Sequence, residues 1–438
     1  MDKPTIVFSP LQAGVPAAGG AVDVLVRLRA PQQQAGLQHK HQAKRLALVV
    51  DRSGSMSGQP LQEALRCVEH IASHLTPQDA MSLVVYDDKV DVVLPMQAVK
   101  SMDVVCQAIA QVQSGGMTNL HGGWQAGANQ LEGGNTQAIS RVILLSDGQA
   151  NVGVTDLATL ENDCRKWLSM GISTTTVGLG SGFNEDLMIG MARAGGGQNY
   201  YGQTAADLYD SFDEELALLQ AMMLRDIELK LLPAQGVLVE MLSPVVQHAQ
   251  GGWRMTDLAW GAESWVAVRL HLSACAVGDV RDLLGASVTG KGMEGDVQKL
   301  FAPVMQLPAL DAAGLAALPR DETVHTRLEE LAFAKASGEL RELAAKGDRK
   351  ATQAALAKLQ ARFGDHPWLK AKIEQLRELA EQNIEMMSKE VNYSMVRMSR
   401  RLVASEETEF TGDEIQSLAM PAFLRKKVSE GKGKQRLV

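Results

Sequence analysis

Four short apolar runs limit what this chain can fold into: "LALVV" (46–50), "MSLVVY" (81–86), "RVILLS" (141–146) and "STTTVGLG" (173–180). Each is rich in leucine or β-branched residues and shorter than an ordinary helix. That is the composition of strands buried on both faces of a parallel sheet. Amphipathic stretches separate them, among them "LQEALRCVEHIASHL" (61–75) and "LATLENDCRKWLSMG" (157–171), the second closing on Gly171 as a helix does. Parallel neighbours need crossover connections, so the alternation predicts a doubly wound α/β domain over residues 45–222. Ligands of such sheets sit beyond the carboxyl ends of the strands. Asp51 and Asp147 both fall at such ends.

The flanks have a different period. Residues 1–44 contain "VDVLVRLRAP", and residues 223–308 contain "RDIELKLLP", "GVLVEML", "WVAVRLHL" and "LLGASVTG", interrupted by glycine and proline. These read as half-exposed antiparallel strands. They predict one β-sandwich assembled from both flanks, with the α/β domain inserted in it. Residues 309–405 are expected to be helical: two amphipathic stretches meet at Gly347-Asp348, and Pro367 opens a longer one. Its apolar series runs Leu369, Ile373, Leu376, Ala380, Ile384, Met387, Val391, Met395, Met398, Leu402 at spacings of three and four. Such a stripe either forms a coiled coil or lies against the rest of the chain, and packing within the chain is the expectation. Residues 406–438 read as a flexible basic tail.

A chain of 438 residues exceeds one hydrophobic core. Its net charge of −8 argues against general affinity for nucleic acid or anionic membrane. Cys67, Cys106, Cys164 and Cys275 are far apart and form no CxxC pattern, which suits small buried hydrophobes in a reducing compartment. No apolar run approaches the ~20 residues that cross a bilayer, and "MDKPTIVFSP" lacks the pattern of a signal peptide. A cytoplasmic protein is the expectation.

Three loops at strand ends carry oxygen donors: Asp51, Ser53 and Ser55 in the first, Thr118 in "SGGMTNLHGG" (114–123), and Asp147 in "LSDGQAN" (145–151). A hard divalent cation such as magnesium takes about six oxygen ligands and retains water among them. Two carboxylates and three hydroxyls leave such an ion electron-poor with a position open, which an acidic group from a partner can fill. Alone, an Asp-x-Ser after a strand is equally a turn or a helix cap. The three loops occurring in order after predicted strands favour the ion.

Residues 45–222 resemble a von Willebrand factor type A domain, and the loops match its metal-ion-dependent adhesion site: D-x-S-x-S as Asp51, Ser53 and Ser55, then Thr118, then Asp147 with Gly148. The resemblance implies a Rossmann-like sheet wrapped by helices. It implies direct ligation by Ser53, Ser55 and Thr118, and direct or water-mediated ligation by Asp51 and Asp147. Magnesium is the implied ion, with manganese or calcium as alternatives. The overall layout is similar to bacterial relatives of inter-alpha-trypsin inhibitor heavy chains and of calcium-activated chloride channel homologues. Bacterial proteins with this domain often work beside MoxR-type AAA+ ATPases, which the resemblance implies as a partner.

Other features read more plainly. "VGLGSGF" (177–183) fails as a dinucleotide fingerprint because Phe183 replaces the third glycine. His121 reads as a loop residue shaping access, and Asp87-Asp88 as a solvated turn. No histidine is placed by sequence as a base for Ser53 or Ser55, so the chain is not expected to be an enzyme. The tail segment "LAMPAFLRKK" (418–427) resembles the C-terminal peptide of the tubulin-like division protein FtsZ, with Pro421, Phe423, Leu424 and Arg425 as the docking residues. It implies a cell-division adaptor as a second partner. The leading expectation is a metal-dependent protein-interaction module. The alternatives are a scaffold assembling through its long helix and tail, and a metal-dependent hydrolase.

Overall fold

The computed structural model describes residues 3–31, 42–134, 138–147, 149–179, 184–202, 204–247, 251–292, 295–382, 387, 390–391 and 403–404. Gly148, residues 180–183, Ile384, Met395, Met398, Leu402 and the docking residues Pro421, Phe423, Leu424 and Arg425 lie outside them. Two compact units emerge, one from the described parts of Met1–Gln38 and Ala221–Ile415, the other from those of His39–Gln220.

Three strands come first: β1 (Thr5–Pro10), β2 (Val15–Pro16) and β3 (Gly20–Arg29). The alternating segment then runs β4 (Lys44–Asp51), α1 (Gln59–Ser73), β5 (Ala80–Tyr86), β6 (Val90–Ala98), α2 (Met102–Ala110), α3 (Leu120–Leu131), β7 (Ile139–Ser146), α4 (Leu157–Ser169), β8 (Ile172–Leu179), α5 (Glu185–Ala194), β9 (Gly196–Gly202) and α6 (Tyr209–Gln220). Its sheet order is β6-β5-β4-β7-β8-β9, with β6 antiparallel and the other neighbours parallel. Leu46 to Val50 on β4 and Val142 to Leu145 on β7 are buried, as expected of strands covered on both faces. Two strands escaped the apolar-run criterion, for a physical reason. Both are edge strands: β6 is half-exposed, and β9, "GGQNYYG", is built from glycine and polar residues.

The second unit resumes with β10 (Met222–Pro233), β11 (Val237–Met241), β12 (Trp253–Arg254), β13 (Leu258–Ala259), β14 (Ala262–Leu272), β15 (Val280–Lys291) and β16 (Val297–Leu310). One sheet has the order β1-β3-β14-β11, the other β12-β10-β15-β16-β2, with β13 beside β10. β3 pairs with β14 from Glu263↔Arg29 to Leu272↔Gly20, so strands from the two flanks are joined in one sheet. Val24, Val26, Leu28, Val266 and Val268 from the first sheet share a core with Ile227, Leu229, Leu284, Ala286 and Val288 from the second. This is a β-sandwich with the α/β unit inserted. One pairing departs from the antiparallel expectation: β2 runs parallel to the end of β16.

Helices complete this unit: α7 (Ala312–Ala317), α8 (Glu322–Ala345), α9 (Arg349–Phe363) and α10 (Pro367–Gln382), followed by β17 (Val403–Ala404) on β14. Gly347, at φ +73°, makes the α8–α9 turn, and Asp348 caps α9 through the Ala351 amide at 3.0 Å. Val324 of α8 packs with Leu25, Trp265 and Ala267, so the helix covers an outer face of the sandwich. Leu369, Ile373, Leu376, Met387 and Val391 of the long stripe are buried with Phe333, Leu340, Leu356 and Phe363. Each such side chain contributes about 1.5–3 kcal/mol of burial. The described part of the stripe therefore packs within the chain.

Candidate metal centre

β4 delivers Asp51 to the end of the parallel sheet, where it is fully buried. Its carboxylate accepts from Ser146 Oγ at 2.6 Å, from the Ser53 amide at 2.9 Å and from Tyr86 Oη at 3.3 Å. Burial pushes its carboxyl pKa up, and the charge of Asp147 adds to that rise, while the serine hydrogen bonds oppose it. Among the described residues, no lysine or arginine pairs with Asp51. Ser53 is buried beside it and Ser55 is exposed, their hydroxyl oxygens 3.1 Å apart.

The second loop is fastened to the first. The Gly54 amide donates to the Gly116 carbonyl at 3.0 Å, and the Gly115 amide to the Arg52 carbonyl at 2.8 Å. Carboxylates crowd the glycines here, that of Asp87 held by Arg52 and that of Asp88 exposed. A Cβ on Gly115 would sit 2.3 Å from Asp87 Oδ2, and one on Gly116 would sit 1.6 Å from Asp88 Oδ1. Asp87 is thus no solvated turn residue. It is buried, its carbonyl accepts from the Asn119 amide at 2.8 Å, and its carboxylate pairs with Arg52 Nε at 3.2 Å. It ties the first loop to the second.

The glycine-rich segment is also shorter as a loop than its composition implies. Asn119 caps α3 by accepting from the Gly122 amide at 3.0 Å, so residues 120–123 are helical. Gly123 and Gly127 share one face of α3, and added Cβ atoms would lie 2.2 Å from the Tyr86 ring and 2.3 Å from Val49 Cγ2. Those glycines let α3 lie against β4 and β5, which brings Thr118 to the strand ends. His121 therefore belongs to the first turn of a helix, with Nε2 3.0 Å from Asp163 Oδ2.

Thr118 is buried, and it is tied to the third loop. Its amide donates to Asn151 Oδ1 at 2.8 Å, and its carbonyl accepts from the amides of Asn151 and Val152 at 3.1 and 3.2 Å. Asp147 follows β7 directly. Its carboxylate accepts from the Gln149 amide at 3.1 Å, and its carbonyl from the Asn184 amide at 2.8 Å, the residue that caps α5. Hydrogen bonds thus link the three loops, each in turn to the next. Ser146, Tyr86, Asp87 and Asn151 are contributors that sequence reasoning missed. Ser146 was detectable as the polar end of an apolar run; Asn151 gave no signal.

The donor chemistry fits a hard cation: carboxylates and hydroxyls only, with a buried carboxylate that no basic side chain among the described residues neutralises. Adjacent ligands of an octahedral magnesium ion at about 2.1 Å stand about 3.0 Å apart. The Ser53–Ser55 separation of 3.1 Å meets that requirement.

Residues 46–214 match the family model "von Willebrand factor type A domain". The chain carries such a domain. An uncharacterized Synechocystis protein is 24% identical over 54% of this chain and 55% of its own length. Inter-alpha-trypsin inhibitor heavy chain H4 of Homo sapiens is 27% identical over 57% of this chain and 26% of its own. The chain thus spans about half or less of the length of these relatives. A von Willebrand factor type A protein from Catenulispora acidiphila shares the fold across 96% of both chains, with a TM-score of 0.66 at 17% identity. The ArnB paralogue VWA2 from Sulfolobus acidocaldarius covers 93% of this chain and 100% of its own, with a TM-score of 0.56 at 14% identity. The two-unit architecture therefore recurs in solved structures. No helix among the described residues is long and apolar enough to cross a membrane.

Proposed function

We propose that the α/β unit is a divalent-cation-dependent protein-capture module. Ser53, Ser55 and Thr118 would hold one magnesium ion directly, and Asp51 and Asp147 directly or through water, with manganese or calcium as substitutes. When bound, the ion supplies a positive centre that an aspartate or glutamate of a partner completes. The observation that carries this reading is Asp51: a carboxylate fully withdrawn from water, held only by hydroxyl and amide donors, with Asp147 adding like charge. A divalent cation stabilises such a pair; without one, the charge of Asp147 disfavours ionisation of Asp51.

The chain's own residues position the site. Ser146, Tyr86 and the Ser53 amide fix the Asp51 carboxylate, and the Arg52–Asp87 pair holds the first loop against the second. We assign no catalytic role, since the sequence places no histidine as a base for Ser53 or Ser55. A MoxR-type AAA+ ATPase is the partner that the family resemblance suggests, a division adaptor is the one suggested by the tail motif, and the cytoplasm is the proposed location. Assembly through the long helix is disfavoured, because the described part of its apolar stripe is already covered.

Titration with Mn2+, followed by electron paramagnetic resonance, and affinity capture in magnesium test the proposal together. Asp51→Ala and Thr118→Ala are each expected to lose both manganese binding and partner capture while retaining the parent's circular dichroism spectrum. Capture that survives EDTA and both substitutions would reject it.

A further inference from the structure

A second cluster lies at the other end of α1, about 20 Å along the helix from its start at Gln59. His70 occupies the last turn of α1, His74 caps it, and Asp213 faces them from α6. His70 Nε2 is 2.7 Å and His74 Nε2 3.7 Å from the same Asp213 oxygen, Oδ1. One ligating atom from each of the three residues lies within 4.8 Å of the other two.

The tautomer of His74 is set by its neighbour. Its Nδ1 is 2.8 Å from the His70 carbonyl oxygen, which can only accept, so Nδ1 carries the proton. With Nδ1 so engaged, Nε2 is the nitrogen that faces the cluster, the arrangement by which a carbonyl orients a metal-ligating imidazole. The ring of His70 is held flat against Tyr209, with centroids 4.2 Å apart. A His70–Asp213 hydrogen bond by itself explains the short distance. It does not account for His74, whose Nε2 faces the same oxygen from 3.7 Å, beyond hydrogen-bond reach. The side chains of His74 and Asp213 are about half exposed, so an ion has access and water can fill the remaining positions.

We propose that His70, His74 and Asp213 bind a divalent transition-metal ion of the zinc class, fastening the C-terminal end of α1 to α6. Two imidazoles and one carboxylate suit zinc, nickel or cobalt and suit magnesium poorly, since magnesium prefers oxygen alone. The ion would join the first helix of the α/β unit to its last. It would stabilise the folded unit in proportion to the logarithm of the metal concentration over the dissociation constant.

Isothermal titration of the full chain with Zn2+ tests this. Magnesium in excess loads the oxygen site, and Cys106→Ser throughout removes the exposed thiol. One zinc equivalent is expected, together with a higher thermal midpoint. His74→Ala and Asp213→Asn should each weaken zinc binding about ten-fold or more and abolish the thermal shift. His271→Ala, which touches an exposed histidine–glutamate pair in the sandwich, should leave both unchanged. Asp51→Ala should also retain the zinc equivalent, so failure here is separate from failure of the magnesium reading. Absence of zinc binding, or equal affinity in the parent and His74→Ala, overturns the proposal.

Discussion

Asp51 and Glu263 are carboxylates withdrawn from water in the two units, 0% and 4% exposed, and they are held in opposite ways. Glu263, on β14, receives Arg27 through Nε at 2.8 Å and Nη2 at 2.7 Å, and Arg29 through Nε at 3.0 Å. Its charge is matched inside the sandwich, and the pair crosses between the two strands that join the flanks. Elsewhere in the α/β unit, Asp79 likewise has Lys44 and Glu215 has Arg141. Asp51 has only hydroxyl and amide donors. A carboxylate matched by arginine is part of the fold. One held by neutral donors is the group our proposal assigns to a cation from outside.

That contrast can be broken by substitution. Glu263→Ala leaves Arg27 buried with only Ser9 Oγ at 3.3 Å, and the loss is expected to be about 3–5 kcal/mol, read as urea unfolding of the sandwich. Asp51→Asn in metal-free protein should cost far less. Equal losses would make Asp51 a structural residue. A smaller effect belongs to the support of the site. Gly127→Ala forces a Cβ against Val49 and should destabilise the α/β unit by about 1–3 kcal/mol, partly offset by about 1 kcal/mol of helix propensity. Manganese affinity should fall with it, because α3 presents Thr118. Unchanged affinity would show that the helix does not position the loop.

The smallest expected effect is on pH dependence. The Asp51 carboxyl is raised in the folded protein, so the folded state binds more protons than the unfolded one above the ordinary carboxylate range. Its contribution to metal-free stability is complete below the unfolded value and is lost as pH rises through the folded one. Asp51→Asn should flatten that part of the stability profile, measured by denaturant midpoints across the acid range. An unchanged slope would remove the burial argument. With magnesium bound the sign reverses, since the ion selects the ionised form.

Local sequence determined the central strands, because "LALVV", "MSLVVY" and "RVILLS" are apolar runs rich in leucine and β-branched residues and too short for a buried helix. It also marked the α8–α9 turn, where Gly347 and Asp348 do chemistry that only their residue types do well. The five candidate ligands were legible as polar residues at strand ends. Tertiary structure decided the rest. The edge strands β6 and β9 exist because their neighbours offer backbone partners, which no residue pattern announces. The glycines around Thr118 looked like a loop and proved to be partly the packing face of a helix, since the side chains they must avoid, Tyr86 and Val49, lie far away in the chain. Asp87 looked solvated because its partners, Arg52 and the Asn119 amide, arrive only when the loops meet. Periodicity reports what one element wants to bury. Which polar group is left without a counter-charge depends on everything that packs around it.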